Sequence, residues 1–274
     1  MKVFISVDMD GISGIVDRTM VGRTEGDYEK GRQLMVGDVN AAIEGILSVE
    51  PETYIKVCDG HGGMNNINPI DLHKSAILVR GSPKPQSQVS GIDGSFDAAM
   101  FVGYHSMKGT FQGILSHTYS GASIASLHIN RVEVGETAMN AGIAGHYAVP
   151  LILVTGDLAV TNEAKAINSE IVTVAVKEAV LRHSAECLHP EKAQVLIRKA
   201  AADAIKKRKS IKPYVVTPPV DFTIRFTDAS RADAASFVTT AERLDGMTIR
   251  FVKNDYLSAF NGFIAAVMCA SSVA

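Results

Sequence analysis

What most constrains this chain is a rhythm of short β-branched apolar runs, separated by helical stripes or glycine-rich turns. Lys2–Asp8 is such a run, closing on acidic residues and glycine, which predicts a first strand. Residues Tyr28–Val49 then carry helical periodicity, with Met35, Val39, Ala42, Ile43 and Ile46 on one stripe. Tyr54–Cys58 is the next strand, entering the glycine-rich loop Asp59–Met64, and Ala76–Arg80 and Ala98–Tyr104 are further apolar runs bounded by turn residues. Ile124–Val134 alternates around Asn130–Arg131, predicting a hairpin. Glu136–Tyr147 reads as a helix, and Pro150–Thr155 as a buried strand stopped by Gly156–Asp157. Successive strands linked through helices run parallel, so the expectation is an α/β fold with a mostly parallel central sheet flanked by helices.

After about residue 160 the pattern changes. Helices are predicted at Pro190–Arg208 and Asp255–Ser271, with strands at Val220–Phe226 and Thr248–Val252 between them. The three prolines of Pro213–Pro219 suggest a hinge. The chain therefore reads as a catalytic, metal-binding α/β domain over residues 1–160 and a smaller C-terminal α+β region over 161–274, expected to serve assembly.

Composition excludes several classes of function. A net charge of −2 gives no global attraction to nucleic acid or to an anionic membrane. The basic run Lys206–Lys207–Arg208–Lys209 ends a predicted helix, where cations complement the helix dipole and face water. The longest apolar run, Phe263–Ala270, is far short of a membrane span, and the first residues lack the pattern of a secretory signal. Three scattered cysteines, Cys58, Cys187 and Cys269, are too few for a disulfide framework and fit a cytoplasmic protein.

The chemistry gathers where predicted strands end. Asp8 and Asp10 are two apart at the end of the first strand, so both side chains aim to the same side. Two carboxylates pointed at one spot repel unless a cation or proton lies between them. His61 follows the second strand inside Asp59-Gly60-His61-Gly62-Gly63, where glycines leave the imidazole unobstructed. His105 follows Val102-Gly103-Tyr104. Sites in open α/β sheets assemble at the carboxyl ends of the strands, so these three strand ends point to one metal site. Glu136 opens a predicted helix, where a carboxylate either complements the dipole or binds metal. His117 lies among hydroxyls in Ser116-His117-Thr118, free either to be satisfied by them or to act in catalysis. The other five histidines, His73, His128, His146, His183 and His189, lie in helical, hairpin or surface contexts and read as structural or solvated.

Mixed carboxylate and imidazole ligands suit zinc, manganese or cobalt better than calcium. Five protein ligands, Asp8, Asp10, His61, His105 and Glu136, exceed what one open tetrahedral site needs, but suit two ions sharing a carboxylate. Paired metals serve aminopeptidase chemistry by acidifying water and polarising the scissile carbonyl. His117, outside that set, is the candidate nucleophile, general acid/base or oxyanion partner.

The motifs Ser6-Val7-Asp8-Met9-Asp10-Gly11, Asp59-Gly60-His61 with Asn65-Asn66, Gly103-Tyr104-His105, Ser116-His117 and Val134-Gly135-Glu136 followed by Asn140 resemble the D-aminopeptidase family. These are binuclear zinc peptidases of the bacterial dipeptide-utilisation type. The resemblance is densest over residues 1–160 and thins through Thr173–Lys192. It implies two zinc ions per subunit held by Asp8, Asp10, His61, His105 and Glu136, with His117 in the place of the family's proposed nucleophile. It also implies hydrolysis of the amino-terminal residue of short D-amino-acid peptides, and a homo-oligomer, a ring-stacked decamer whose active sites face an internal channel. The family motif has Glu where this chain has Asp10, which shortens that carboxylate's reach by one methylene.

A rival reading comes from Asp8-Met9-Asp10-Gly11 itself, which also resembles the motif of haloacid-dehalogenase-like magnesium phosphohydrolases. There Asp8 would attack phosphorus and Asp10 would act as acid/base. That scheme leaves His61, His105 and Glu136 without a task. A third reading, a metal cluster that only stabilises an oligomer, fits poorly because structural zinc sites are closed and thiolate-rich.

Overall fold

The structure is a computed structural model and describes residues 1–273. In chain order the first elements are β1 (Lys2–Val7), α1 (Tyr28–Val49), β2 (Tyr54–Asp59), β3 (Ala76–Val79) and β4 (Ala98–Tyr104). Then come β5 (Ile124–Ile129), β6 (Val132–Glu133), α2 (Glu136–His146), β7 (Leu151–Asp157), α3 (Leu158–Ile167), β8 (Val172–Leu181) and β9 (Ser184–Cys187). The chain closes with α4 (Pro190–Lys207), β10 (Val220–Phe226), α5 (Ala229–Ala235), β11 (Glu242–Arg243), β12 (Thr248–Lys253) and α6 (Tyr256–Ser271). Every strand and helix expected from periodicity forms, with small shifts at the ends. Five further elements, α3, β8, β9, α5 and β11, form beyond those expected from periodicity. For α3 the reason is local: Asp157 ends β7 and also caps the helix, its side chain accepting from Val160 N–H, so no turn residues separate the two.

The strands form two sheets. The first has the order β3-β2-β1-β4-β7-β8-β9 and is parallel except for the antiparallel β8–β9 pair. The second, β11-β12-β10-β5-β6, is antiparallel. These sheets do not divide the chain at residue 160. Strands β8 and β9 extend the first sheet, while the β5–β6 hairpin belongs to the second. Strand partners are chosen by hydrogen bonding across distant parts of the chain, which a change in local pattern does not reveal. The proline-rich 213–219 segment, expected to be a hinge, is a connector pressed on α2, where a Cβ at Gly145 would overlap the Tyr214 carbonyl.

Parallel strands buried on both faces need helices on both sides, and β4 and β7 are buried throughout. Helix α1 packs with α4, and α2 packs with α3, while α2 also touches α6 of the second layer. In the antiparallel sheet burial alternates instead. Val220, Phe222, Ile224 and Phe226 of β10 point inward, and Phe222 meets Phe263 of α6 with ring centroids 5.9 Å apart.

The sheet order leaves β1 and β2 on one side and β4 and β7 on the other, so chain direction across the sheet reverses between β1 and β4. A crevice opens at such a switch point, outside the carboxyl ends of the strands. Register brings the ends level: Val7 lies opposite Asp59 of β2 and Val102 of β4. Asp8, Gly60–His61 and Gly103–His105 therefore emerge together. Close approach there requires glycine, because a Cβ at Gly11 would overlap the Tyr104 carbonyl, and Gly103 has φ +70°.

Candidate metal centre

All six residues singled out from sequence converge at that crevice. His61 Nδ1 lies 3.1 Å from Asp8 Oδ1 and 3.6 Å from Asp10 Oδ2. His105 Nε2 lies 3.3 Å from Glu136 Oε1 and 4.0 Å from Asp8 Oδ2. His117 Nε2 is 3.5 Å from Glu136 Oε1, and its Nδ1 is 4.0 Å from Asp10 Oδ2. Three sets of donor atoms lie close enough to grip an ion: Asp8–Asp10–His61, Asp8–His105–Glu136 and Asp10–His105–His117. Asp8 joins the first two sets and Asp10 the first and third; Asp8 is the carboxylate shared by the two sets that do not include His117.

The backbone fixes which imidazole nitrogen faces the cluster. A carbonyl oxygen can only accept, so the ring nitrogen bonded to it carries the hydrogen. His61 Nε2 thus donates to Val21 O (3.1 Å), His105 Nδ1 to Ser106 O (2.9 Å) and His117 Nδ1 to Leu115 O (2.8 Å). Each histidine is left with its other nitrogen turned toward carboxylates. This is how metal-binding histidines are usually oriented.

His105 supplies the test of whether the residues fit a cation. Its Nε2 is buried with no hydrogen-bond partner, aimed at two carboxylates. A lone pair facing carboxylate oxygens is repelled unless a proton or a metal ion stands between them. Without metal, protons take that place. Burial opposes the His61 charge, but Asp10 and the hydrogen bond to Asp8 outweigh it and raise the imidazole to about 10. Burial likewise opposes the charge on His105, and Glu136 overcomes it, holding the imidazole well above its ordinary range. Burial would raise the Asp8 and Glu136 carboxyls, but the imidazoles of His61 and His105 respectively hold them below it. Metal and proton compete for the same lone pairs.

A buried polar network, which periodicity gave no means of finding, holds the carboxylates. Gln88 lies in the loop before β4, and its Nε2 donates to Asp8 Oδ2 (3.2 Å) and to Glu136 Oε2. Asn140 Nδ2 donates to Gln88 Oε1 (2.6 Å) and to the Tyr104 hydroxyl (2.9 Å). Ser6 Oγ donates to Gln88 O, so the Tyr104 hydroxyl donates to Ser6 (2.8 Å). The Asp59 carboxylate closes the His61 loop by accepting from Asn66 and Ile67 N–H, while Asn66 Nδ2 donates to His61 O (2.7 Å). Lys177, fully buried on β8, donates to the carbonyls of Asp10, Ile12 and Ile15 and so braces the turn carrying Asp10. Ser6, Asp59, Asn66, Tyr104 and Asn140 fall within the family motifs, whereas Gln88 and Lys177 lie outside them.

The loop that carries His117 is strained. Leu115 (φ 49°) and Tyr119 (φ 59°) flank His117 in the left-handed region, which costs a side-chain-bearing residue about 1 kcal/mol each. Tyr119 N–H donates to Glu136 Oε1 (2.6 Å), so the loop is tied to the carboxylate it faces. Beside the cluster lies a cavity of about 900 Å³, lined among others by Asp10, His61 and His117. Asp8, His105 and Glu136 lie behind these, each almost wholly buried.

A buried histidine–carboxylate cluster at the strand ends of a doubly wound sheet, opening on a peptide-sized cavity, defines a metal-dependent hydrolase. The chain matches the D-aminopeptidase family over residues 1–265. It is 35% identical over 267 residues to the D-aminopeptidase of Bacillus subtilis (strain 168), covering 96% of both chains. Its fold superposes with a TM-score of 0.97 on the Zn-dependent D-aminopeptidase DppA from Bacillus subtilis, described as a self-compartmentalizing protease. That match has 33% identity and covers 100% of this chain and 99% of the other. This protein belongs to the D-aminopeptidase family and is a metallo-aminopeptidase. The haloacid-dehalogenase-like alternative finds no support: an aspartyl-nucleophile phosphohydrolase with one magnesium ion has no use for His61, His105 and Glu136, which meet Asp8 and Asp10.

Proposed function

We propose that the protein is a binuclear zinc aminopeptidase that removes the amino-terminal residue from short D-amino-acid peptides. The observation that carries this reading is the buried Nε2 of His105, unpartnered and turned onto Asp8 and Glu136. Asp8, Asp10 and His61 would hold one ion, and Asp8, His105 and Glu136 the other. Three carboxylates with no lysine or arginine ion-paired to them among the described residues suit a pair of divalent ions, zinc by the relative's description and manganese or cobalt by ligand type. When bound, the ions would supply Lewis acidity, polarising the scissile carbonyl and lowering the pKa of water.

His117 serves as general acid/base in this reading. Its Nδ1–H is held by Leu115 O, so Nε2 is free to take a proton and later deliver it to the leaving amine. The Glu136 carboxylate 3.5 Å away stabilises the imidazolium in between. The same free nitrogen suits a nucleophile, but the adjacent carboxylate favours the proton-transfer role.

No helix among the described residues is long and apolar enough to cross a membrane. A cytoplasmic location, no nucleic-acid partner, and a homo-oligomer (a decamer by family resemblance) complete the proposal. Exposed apolar side chains such as Phe237 and Met268 in the second layer are consistent with an assembly role for the C-terminal region.

The test is elemental analysis of the purified protein followed by assays on D- and L-alanyl dipeptides. Two zinc ions per subunit, with D-peptide cleavage lost on chelation and restored by zinc, is the expected result. Phosphomonoesterase activity that needs magnesium and survives replacement of His61, His105 and His117 would overturn it.

A further inference from the structure

The cavity beside the metal centre carries an excess of cations that the metal chemistry does not use. Arg18, Lys108 and Arg182 all line it, and the one carboxylate among its lining residues, Asp10, faces the metal cluster. Arg182 occupies the turn between β8 and β9, and that turn is tied twice to the His117 loop. Leu115 N–H donates to Arg182 O (3.1 Å), and Arg182 Nη2 donates to Ser116 O (3.0 Å), directly before His117. On the other flank, Lys108 Nζ donates to Gly121 O (2.7 Å), and Gly121 packs against the His117 side chain. His117 thus sits between the anchor points of two cations that open on the same cavity.

We propose that Arg182, with Lys108 beside it, binds the free C-terminal carboxylate of the substrate and selects very short peptides. This subsite rests on the peptidase reading above. The chemistry follows from the length of a dipeptide. With its scissile carbonyl at the metal centre, only one residue remains on the leaving side, a span of roughly 3.5 Å. The carboxylate therefore falls among the neighbours of His117, where these two cations are fixed. The contacts to Ser116 and His183 leave N–H groups of the Arg182 guanidinium unused, and Lys108 likewise has donors to spare. A guanidinium already oriented by a backbone carbonyl presents its remaining donors to a carboxylate at reduced entropic cost. Longer peptides and C-terminal amides place no negative charge there.

The experiment compares kcat/KM of the zinc-loaded enzyme on a D-alanyl dipeptide and on the same dipeptide with its carboxyl group amidated. The acid is expected to be preferred by about tenfold or more, the preference shrinking as salt is added. Arg182→Gln is expected to bring the acid-to-amide ratio close to one by raising KM for the acid, and Arg182→Lys to restore part of it. Wild-type enzyme that cleaves both peptides equally well overturns the proposal whether or not the variants fold. So does a preference that Arg182→Gln leaves intact. Zinc-loaded enzyme that cleaves neither peptide removes the peptidase reading itself, and the subsite with it.

Discussion

The imidazoles of His105 and His117 lie stacked, with ring centroids 4.0 Å apart and planes 13° from parallel. His105 points its free nitrogen into the buried cluster, whereas His117 borders the cavity. One histidine therefore suits metal and its neighbour suits substrate. Replacing His117 with Ala is expected to lower kcat by a factor of about 10² to 10⁴ while zinc content stays near that of wild type. Metal analysis beside steady-state kinetics checks this, and a variant that loses an ion would make His117 a ligand.

Asp8 is shared by two of the donor sets, so its loss should be felt by both ions. Asp8→Ala is expected to purify with neither zinc ion at full occupancy. Retention of a whole metal complement would show that no carboxylate bridges the two sites at this position.

Gln88 holds Asp8 and Glu136 from behind through one amide nitrogen. Outer partners of this kind orient metal-binding side chains, and removing them weakens binding by about 10- to 100-fold. Gln88→Ala should show that loss in a titration against a chromophoric chelator, with the fold preserved by circular dichroism. Unchanged zinc affinity would reduce Gln88 to a packing role.

Asp38 is a buried carboxylate away from the metal cluster, accepting from Ser13 N–H (2.9 Å) and from the Ser13 hydroxyl (2.8 Å). Burial pushes its carboxyl from 3.8 up to about 6, against the opposing effect of the Ser13 hydrogen bonds and the Lys177 charge. A raised native pKa means the folded state holds the proton more tightly than the unfolded chain. The associated stability is fully present below about pH 3.8 and is lost as pH rises to about 6. Asn keeps both contacts, accepting from the Ser13 N–H and donating to the hydroxyl, but does not titrate. In urea unfolding of the metal-free proteins, wild type should lose stability relative to Asp38→Asn across that window and keep a constant difference above it. A difference independent of pH would show that Asp38 is not protonated in the native state.

The parts of the site that sequence made legible are those set by local rules. Asp8 and Asp10 share a direction because strand side chains alternate, and His61 and His105 follow apolar runs that could only be strands. Glu136 and His117 carry little signal in their own surroundings and more in the family motifs. Gln88 carries no signal at all, since it lies in a single 3-10 turn, Ser87–Val89, and acts on residues 80 and 48 positions away. Lys177 was equally silent: its strand, β8, went unread, and its partners are carbonyls more than 160 residues distant.

Sequence alone determined most of the elements (α3, β8, β9, α5 and β11 excepted), the parallel sheet and the strand ends where the chemistry gathers, because periodicity and turn residues act over a few neighbours. Tertiary structure decided which strands share a sheet and so moved β5–β6 and β8–β9 across the expected boundary at residue 160. It also decided which nitrogen of each histidine faces the carboxylates, since Val21, Leu115 and Ser106 supply the carbonyls that fix it. Those contacts depend on hydrogen bonds formed only when the chain is folded, and burial then gives an unpaired lone pair or carboxylate its demand for a cation.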